Sequence, residues 1–274
     1  MNRILVTGGN GTFGRVVVSK LGQQPTYTVR VMSRRPKPGA AQSTLEWAQA
    51  DLETGEGLEA AVAGVQTVIH AATNPLWHTR QVDLDGTRRL AEVARKAGVS
   101  HLIYISIVGV DRIPYSYYQT KFAAEELIAN GEIPWTILRA TQFDGLLDLA
   151  LRALFKLPVG LWFADIPWQP IAVDVVADAL IQSVAAGPAG RLPGIGGPEV
   201  LSGSEILHTW LEVRGMRRVV LPLHLPGKAA EGFRNGYHTC PDNRLGKITW
   251  HEWVENKYGR SPRPEFNPRA ARGH

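Results

Sequence analysis

The chain of 274 residues has a single cysteine, Cys240. No intrachain disulfide can form, and unpaired thiols persist mainly in reducing compartments, so a cytoplasmic protein is expected. No stretch approaches the roughly 20 consecutive apolar residues that a membrane span needs. "RILVTGG" leads from Arg3 straight into strand and loop, so neither a secretory leader nor membrane association is expected. Metal-ligand spacing is missing too. His238 stands near Cys240 in "YHTCPDN", but no second pair accompanies them and His251 is isolated, so no metal site is expected. Acidic residues are scarce after Gly259, where Arg260, Arg263, Arg269 and Arg272 face only Glu265 among three prolines. Residues 259–274 therefore read as a disordered basic tail. Because this tail carries much of the +5 net charge, the charge does not point to a nucleic-acid partner.

What is present is a 44% hydrophobic chain, enough for a substantial core. Apolar runs bounded by turn residues alternate with amphipathic stretches, the pattern of βαβ units. The runs predict strands at Arg3–Thr7, Tyr27–Ser33, Thr44–Gln49, Thr67–Ala71, His101–Ser106 and Trp135–Arg139. Helices are predicted over Gly14–Gly22, Gly57–Ala63, Asp83–Ala97 and Ser116–Ala129. The strands are nearly continuous in Val, Ile and Leu, as when helices cover both faces of a sheet. The expected fold is α/β, a Rossmann-type doubly wound, mostly parallel sheet. After Phe143 the rhythm changes to "GLLDLALRALFKL", "VDVVADALIQSVAAG" and loops rich in Pro, Gly and Trp. One domain over 1–258 is expected, with a core at about 1–142 and a small substrate-side lobe at about 143–258. In "GGPEVLSGSEI", Ser202 or Ser204 reads as a helix N-cap.

"LVTGGNGTFG" fits two glycine templates, G-x-G-x-x-G from Gly9 and G-x-x-G-x-x-G from Gly8, both ending on Gly11 and Gly14. Either frame lets the backbone approach a pyrophosphate lying on the N-terminus of the following helix. At the end of the second strand a dinucleotide site for NAD places an acid on the ribose. "VRVMSRRPKPG" instead offers Ser33, Arg34 and Arg35, a hydroxyl and two guanidinium groups suited to a 2′-phosphate, so NADP(H) is the expected cofactor.

"YSYYQTKFAAEEL" puts Tyr117 and Lys121 one turn apart on one helix face. A neighbouring ammonium favours phenolate, so the Tyr117 pKa is expected to fall toward neutrality. Ser106 ends the strand "HLIYIS", on the edge where α/β sheets place ligands, and can orient a carbonyl oxygen. Tyr115 and Tyr118 are rivals for the acid role.

Together these segments resemble the short-chain dehydrogenase/reductase superfamily, in its extended-to-atypical, NmrA-like branch, over about residues 2 to 215. The resemblance rests on "VTGGNGTFG", "ADL" at 50–52, "VIHAAT" at 68–73, "VDLDGTRRLAEVARKAGVSHLIYIS", "IPWTILRATQF" and "QPIAVDVVADAL". It selects the frame from Gly8 and leaves Gly9 as the variable position. It implies a cofactor cradle of Thr7, Gly8, Asn10, Gly11, Thr12, Phe13 and Gly14, with Asp51 and Leu52 against the adenine. Ala71, Ala72 and Thr73 would run along the cofactor, with Ala140, Thr141 and Phe143 lining the nicotinamide. Lys121 would bond the nicotinamide ribose, Tyr117 would act as general acid and Ser106 would support the substrate oxygen. The loop "IVGVDRIPYS" is shorter than in extended sugar-nucleotide enzymes.

Trp77, Phe143, Trp162 and Trp168 are candidate walls of a substrate pocket, favouring a small apolar or aromatic substrate. An NADPH-dependent reductase of a carbonyl, quinone or enone is the leading expectation. An NmrA-like NADP(H) sensor without turnover is the alternative, and a sugar-nucleotide epimerase ranks last. Monomer and homodimer both stay open.

Overall fold

The computed structural model describes residues 2–37, 45–75, 77–156 and 159–259. The first half runs β1 (Asn2–Thr7), α1 (Thr12–Gly22), β2 (Tyr27–Ser33), β3 (Glu46–Gln49), α2 (Leu58–Val62) and β4 (Thr67–His70). A π-helical turn, Arg80–Asp85, leads into α3 (Gly86–Lys96), β5 (His101–Ile107), α4 (Ser116–Ala129) and β6 (Trp135–Ala140). The second half adds α5 (Asp144–Leu154), β7 (Val159–Trp162), β8 (Pro167–Trp168), α6 (Val173–Ala186), β9 (Gly190–Arg191) and β10 (Leu201–Ser202). It closes with α7 (Gly203–Val213), β11 (Val219–Pro222), α8 (Lys228–Arg234) and α9 (Trp250–Tyr258).

Seven strands form one sheet in the order β3-β2-β1-β4-β5-β6-β9, each pairing parallel. This is the Rossmann-like α/β architecture expected from the apolar runs. Alternation along β1 explains the two covered faces. Leu5 packs with α2, α3 and α4 through Leu58, Leu90 and Ala124, whereas Ile4 and Val6 pack with α1 and α6 through Val17, Leu21, Val176 and Leu180. Each such side chain contributes about 1.5–3 kcal/mol when fully buried. The chain reverses its winding between β1 and β4, and a crevice opens there beyond the strands' C-terminal ends.

Some expected boundaries move. The third strand starts at Glu46, and Thr44 lies outside the described residues, as does the basic tail from Arg260 onward. The single helix expected over Asp83–Ala97 is instead the tail of the π turn followed by α3. Val82, Asp83 and Leu84 are all buried, and α4 packs against this turn.

Beyond β6, the chain builds a lobe around Trp210 and Trp250, with Leu147 and Leu151 of α5 and Val254 of α9. Asp148 sits at its centre, accepting from Trp210 Nε1 (2.9 Å), Lys257 Nζ (2.8 Å) and the Tyr258 hydroxyl (2.5 Å). Ser202 caps α7 in a reciprocal capping box with Glu205. No described helix is long and apolar enough to cross a membrane.

Candidate active site

The glycine loop follows β1 as a turn closed by the Gly11 N–H donating to Gly8 O (2.8 Å). Gly8 has φ +64°, and a Cβ there would lie 2.8 Å from Ala72 Cα. A Cβ on Gly14 would lie 2.2 Å from Gly8 O, so the first turn of α1 can sit on the loop only because this residue is bare. Gly9, expected to be variable, is also confined: its Cβ would come within 2.9 Å of Val31 Cγ1 and 3.0 Å of Val6 O. That correction has a simple cause, the close packing of β2 against the loop. Gly11 is the N-cap of α1, without a side-chain cap and with no acid in the first turn. The N–H groups of Thr12, Phe13 and Gly14 therefore form an open positive end suited to a pyrophosphate. Asn10 accepts from Arg15 Nε (3.0 Å) at the rim.

Beside the loop, the end of β2 is pinned to β3. Trp47 Nε1 donates to Arg35 O (3.0 Å), Gln49 Nε2 to Arg34 O (3.2 Å), and Ser33 Oγ accepts from Arg35 N–H (3.1 Å). Both arginine side chains are exposed, and no ion pair engages either guanidinium among the described residues. The backbone is held while the charges stay open to an anion. Asp51 caps its own turn by accepting from Glu53 N–H (2.8 Å), and Leu52 is buried beneath Gly86.

Below the crevice lies a fully buried polar relay that sequence reasoning missed. Thr87 donates to Asp83 O (2.6 Å), so its oxygen must accept from His70 Nε2–H (2.9 Å). His70 Nδ1 then accepts from the Thr7 hydroxyl (2.7 Å), whose oxygen accepts from the N–H groups of Ala71 (3.1 Å) and Ala72 (3.2 Å). Burial, aided by the Lys121 charge, pushes the His70 pKa down to about 3, so the ring is neutral with its proton on Nε2. Thr7 is fully buried and its hydroxyl is committed to this relay. Its part is to fix the Ala71–Ala72 backbone along the crevice.

On α4, Tyr117 points across the crevice rather than down its own helix. Its hydroxyl lies 2.9 Å from Thr73 Oγ1, and Thr73 donates to Asp83 Oδ1 (2.5 Å). Because Thr73 has one proton, Tyr117 is the donor of the first bond. Asp83 Oδ2 also accepts from Asn74 N–H (2.9 Å), and Lys121 Nζ stands 3.9 Å from Oδ1. Lys121 is 3% exposed, donates to Ile105 O (3.1 Å) and lies 4.1 Å above the Tyr104 ring. Burial lowers its pKa to about 8, against the opposing pull of Asp83 and Glu125.

Two expectations about this constellation change. Tyr117 is not drawn toward neutrality by Lys121; burial pushes it up to about 12, with the Thr73 bond acting the other way. Ser106 is buried, and its hydroxyl has no partner among the described residues, so it does not meet the phenol. The rivals stand apart: Tyr118 is buried against Ile113 and Phe233, and Tyr115 is exposed with its ring edge-on to Tyr117.

Residues 8–145, half of the chain, match the family described as NAD(P)H-binding. The chain belongs to that family. Curated relatives include a 3-beta-hydroxysteroid dehydrogenase of Mycolicibacterium neoaurum, 28% identical over 193 residues, covering 59% of this chain and 48% of that protein. A (4-alkanoyl-5-oxo-2,5-dihydrofuran-3-yl)methyl phosphate reductase of Streptomyces griseus is 28% identical over 207 residues, 74% of this chain and 70% of that one. The chain spans about half the length of several curated relatives it matches. Among solved structures, an NADPH-dependent quinone oxidoreductase of Escherichia coli, complexed with NADPH, superposes with a TM-score of 0.76 at 18% identity, covering 93% of this chain and 99% of that one. Nucleoside-diphosphate-sugar epimerases share the fold as well. The fold is also shared with a short-chain dehydrogenase/reductase superfamily protein of Agrobacterium tumefaciens with bound NAD, at a TM-score of 0.69 and 21% identity, covering 94% of this chain and 96% of that one.

In this NAD(P)H-binding chain, the aromatic candidates separate. Phe143 stacks on Phe13 (ring centroids 5.3 Å apart, planes at 21°), joining the end of β6 to the first turn of α1. Ala140 and Thr141 are buried next to it. Trp77 is 72% exposed on the loop after β4. Trp162 is buried in the lobe core with Nε1 donating to Gly203 O (2.7 Å), so it packs the lobe rather than walling a cleft. Trp168 stacks on Trp162 and meets His238 edge-on.

Proposed function

We propose that the chain is an NADPH-dependent reductase acting on a small apolar carbonyl, quinone or enone. The observation that carries the reading is the Tyr117–Thr73–Asp83–Lys121 set at the crevice edge, beside the open N-terminus of α1. A phenol linked through Thr73 to the Asp83 carboxylate is placed to exchange a proton, which nucleotide binding alone does not require. The glycine loop and Thr12–Gly14 N–H groups would hold the pyrophosphate, Arg34 and Arg35 the 2′-phosphate, and Lys121 the nicotinamide ribose. Bound NADPH would supply hydride, and Tyr117 the proton. The aromatic surface of Tyr115, Tyr117 and Phe233 beside this set supports an apolar substrate over a sugar nucleotide. In domain terms, the reading is one body over 1–258, its lobe facing the substrate.

The raised Tyr117 and the unengaged Ser106 favour a second reading, a nucleotide sensor without turnover. NADPH oxidation with menadione, benzil and benzaldehyde separates the two. Turnover that is lost in Tyr117→Phe supports the reductase; an inert wild type that binds NADPH tightly supports the sensor. Arg34→Ala with Arg35→Ala should weaken NADPH at least tenfold and leave NADH within about twofold, as each charge-assisted bond is worth about 1.5–3 kcal/mol.

A further inference from the structure

We propose that Asp83 is the positioning residue of this site and the terminus of a proton relay that runs from Tyr117 through Thr73. The inference rests on the reductase reading and gives it a proton path. Three observations carry it. Asp83 is buried, and its two oxygens take the Thr73 hydroxyl and the Asn74 N–H, so one carboxylate fixes the loop after β4. As a carboxylate it only accepts, which obliges Thr73 to donate to it and Tyr117 to donate to Thr73. Lys121 stands 3.9 Å away on the same α4 face as Tyr117, so the charge that compensates the carboxylate comes from the helix carrying the phenol.

The direction of these bonds decides what the resting site does. With its proton turned to Thr73, Tyr117 presents its lone pairs outward, ready to accept the O–H of an alcohol. As the alcohol gives its proton to Tyr117 Oη, the tyrosine proton passes to Thr73 Oγ1 and the threonine proton to Asp83 Oδ1. The alcohol becomes a carbonyl, its two electrons leave as the hydride exchanged with the nucleotide, and Asp83 ends as the neutral acid. Carbonyl reduction runs the same transfers backward from the protonated site. Asp83 first takes up a proton from solvent water, the Thr73 and Tyr117 hydrogen bonds turn round, and Tyr117 Oη–H then donates to the carbonyl oxygen. The Tyr117–Thr73–Asp83 hydrogen bonds let the phenol exchange its proton without passing through a free phenolate.

Two readouts test the relay, one of them independent of turnover. With carbon-13 at tyrosine Cζ, the seven tyrosines give separate signals, and Tyr117 is assigned by its loss in Tyr117→Phe. At neutral pH the Tyr117 signal should shift in Thr73→Val and in Asp83→Asn and return in Thr73→Ser. With menadione as the probe, Thr73→Val should lose roughly 10²-fold in kcat, a loss exceeding any change in NADPH affinity. Thr73→Ser should recover most of it. A proton inventory in mixed light and heavy water should be curved in the wild type and linear in Thr73→Val. A Tyr117 signal unmoved by Thr73→Val, or a kcat unchanged by it, overturns the proposal. Signals that move as expected in a protein without turnover uphold the hydrogen-bond chain and overturn the reductase reading instead. Because Asp83→Asn risks the loop's fold, the Thr73→Val and Thr73→Ser pair decides.

Discussion

Gly14→Ala is the most direct perturbation of the nucleotide cradle. The new methyl would begin 2.2 Å from Gly8 O and 2.8 Å from Gly9 Cα, both backbone atoms that cannot swing aside. Ordinary contact needs over 3.4 Å, so α1 and the loop must part by about 1 Å. Overpacking of this kind costs about 1–3 kcal/mol, within the 5–15 kcal/mol of a typical domain, so the variant still folds. The same separation misaims the N–H groups of the first helical turn. Two charge-assisted bonds lost at about 1.5 kcal/mol each amount to about 3 kcal/mol, or roughly a hundredfold in the Kd for NADPH. Titration calorimetry measures this. Gly145→Ala is the control, as a Cβ there meets nothing within 4 Å. Gly9→Ala should fall between them, since Val31, its nearest neighbour, can rotate away. A Gly14→Ala protein that binds NADPH within twofold of wild type would falsify the close-approach reasoning.

In the lobe, burial pushes the Asp148 carboxyl up, but bonds from Lys257, Tyr258 and Trp210 prevail and hold it below the usual range. A depressed carboxylate stabilises the fold above its unfolded pKa and loses that contribution as pH falls through the folded value. Asp148→Ala should thus cost about 3 kcal/mol at pH 7, chiefly through the orphaned Trp210 N–H and the broken ion pairs. In thermal melts its deficit should narrow in strong acid; a deficit constant with pH would refute the assignment. Asp144 behaves oppositely: burial, with Glu199 nearby, raises its pKa to about 7. Its protonated form is favoured on folding, so stability should decline as pH rises from about 4 to 7. Asp144→Asn should raise Tm at pH 8 and change little at pH 4, and equal effects at both would count against it. Arg139 binds buried Glu125 through Nε (2.9 Å) and Nη2 (2.7 Å) and reaches Asp111 (3.0 Å). Arg139→Met should cost about 3 kcal/mol by leaving buried Glu125 with the longer Arg191 Nε contact (3.4 Å) in place of its two short bonds, and Glu125→Gln in that background should recover part of it in urea melts.

The strands of the central sheet were legible because each is a run of apolar residues buried on both faces, a local signal. Tyr27–Ser33 and Ser116–Ala129 have the same bounds in sequence and structure. The ribbons β7–β11 and β8–β10 were not legible, since strands of two to four residues exist only through partners distant in sequence. The same distinction runs through the site. Helical spacing shows that Tyr117 and Lys121 share a face, but the bond that sets the phenol comes from Thr73, 44 residues upstream. Periodicity finds neighbours on one element and says nothing about partners across a crevice. Asp83 did leave a trace, as an acid between Val82 and Leu84 where the chain reads as helix. On an α-helix three consecutive residues point in three directions, so burying all three takes cover from more than one side, and α4 packs against this turn. A carboxylate enclosed that way must be matched from elsewhere in the fold, by Thr73 and Asn74 as hydrogen-bond donors and by Lys121 as the neighbouring positive charge.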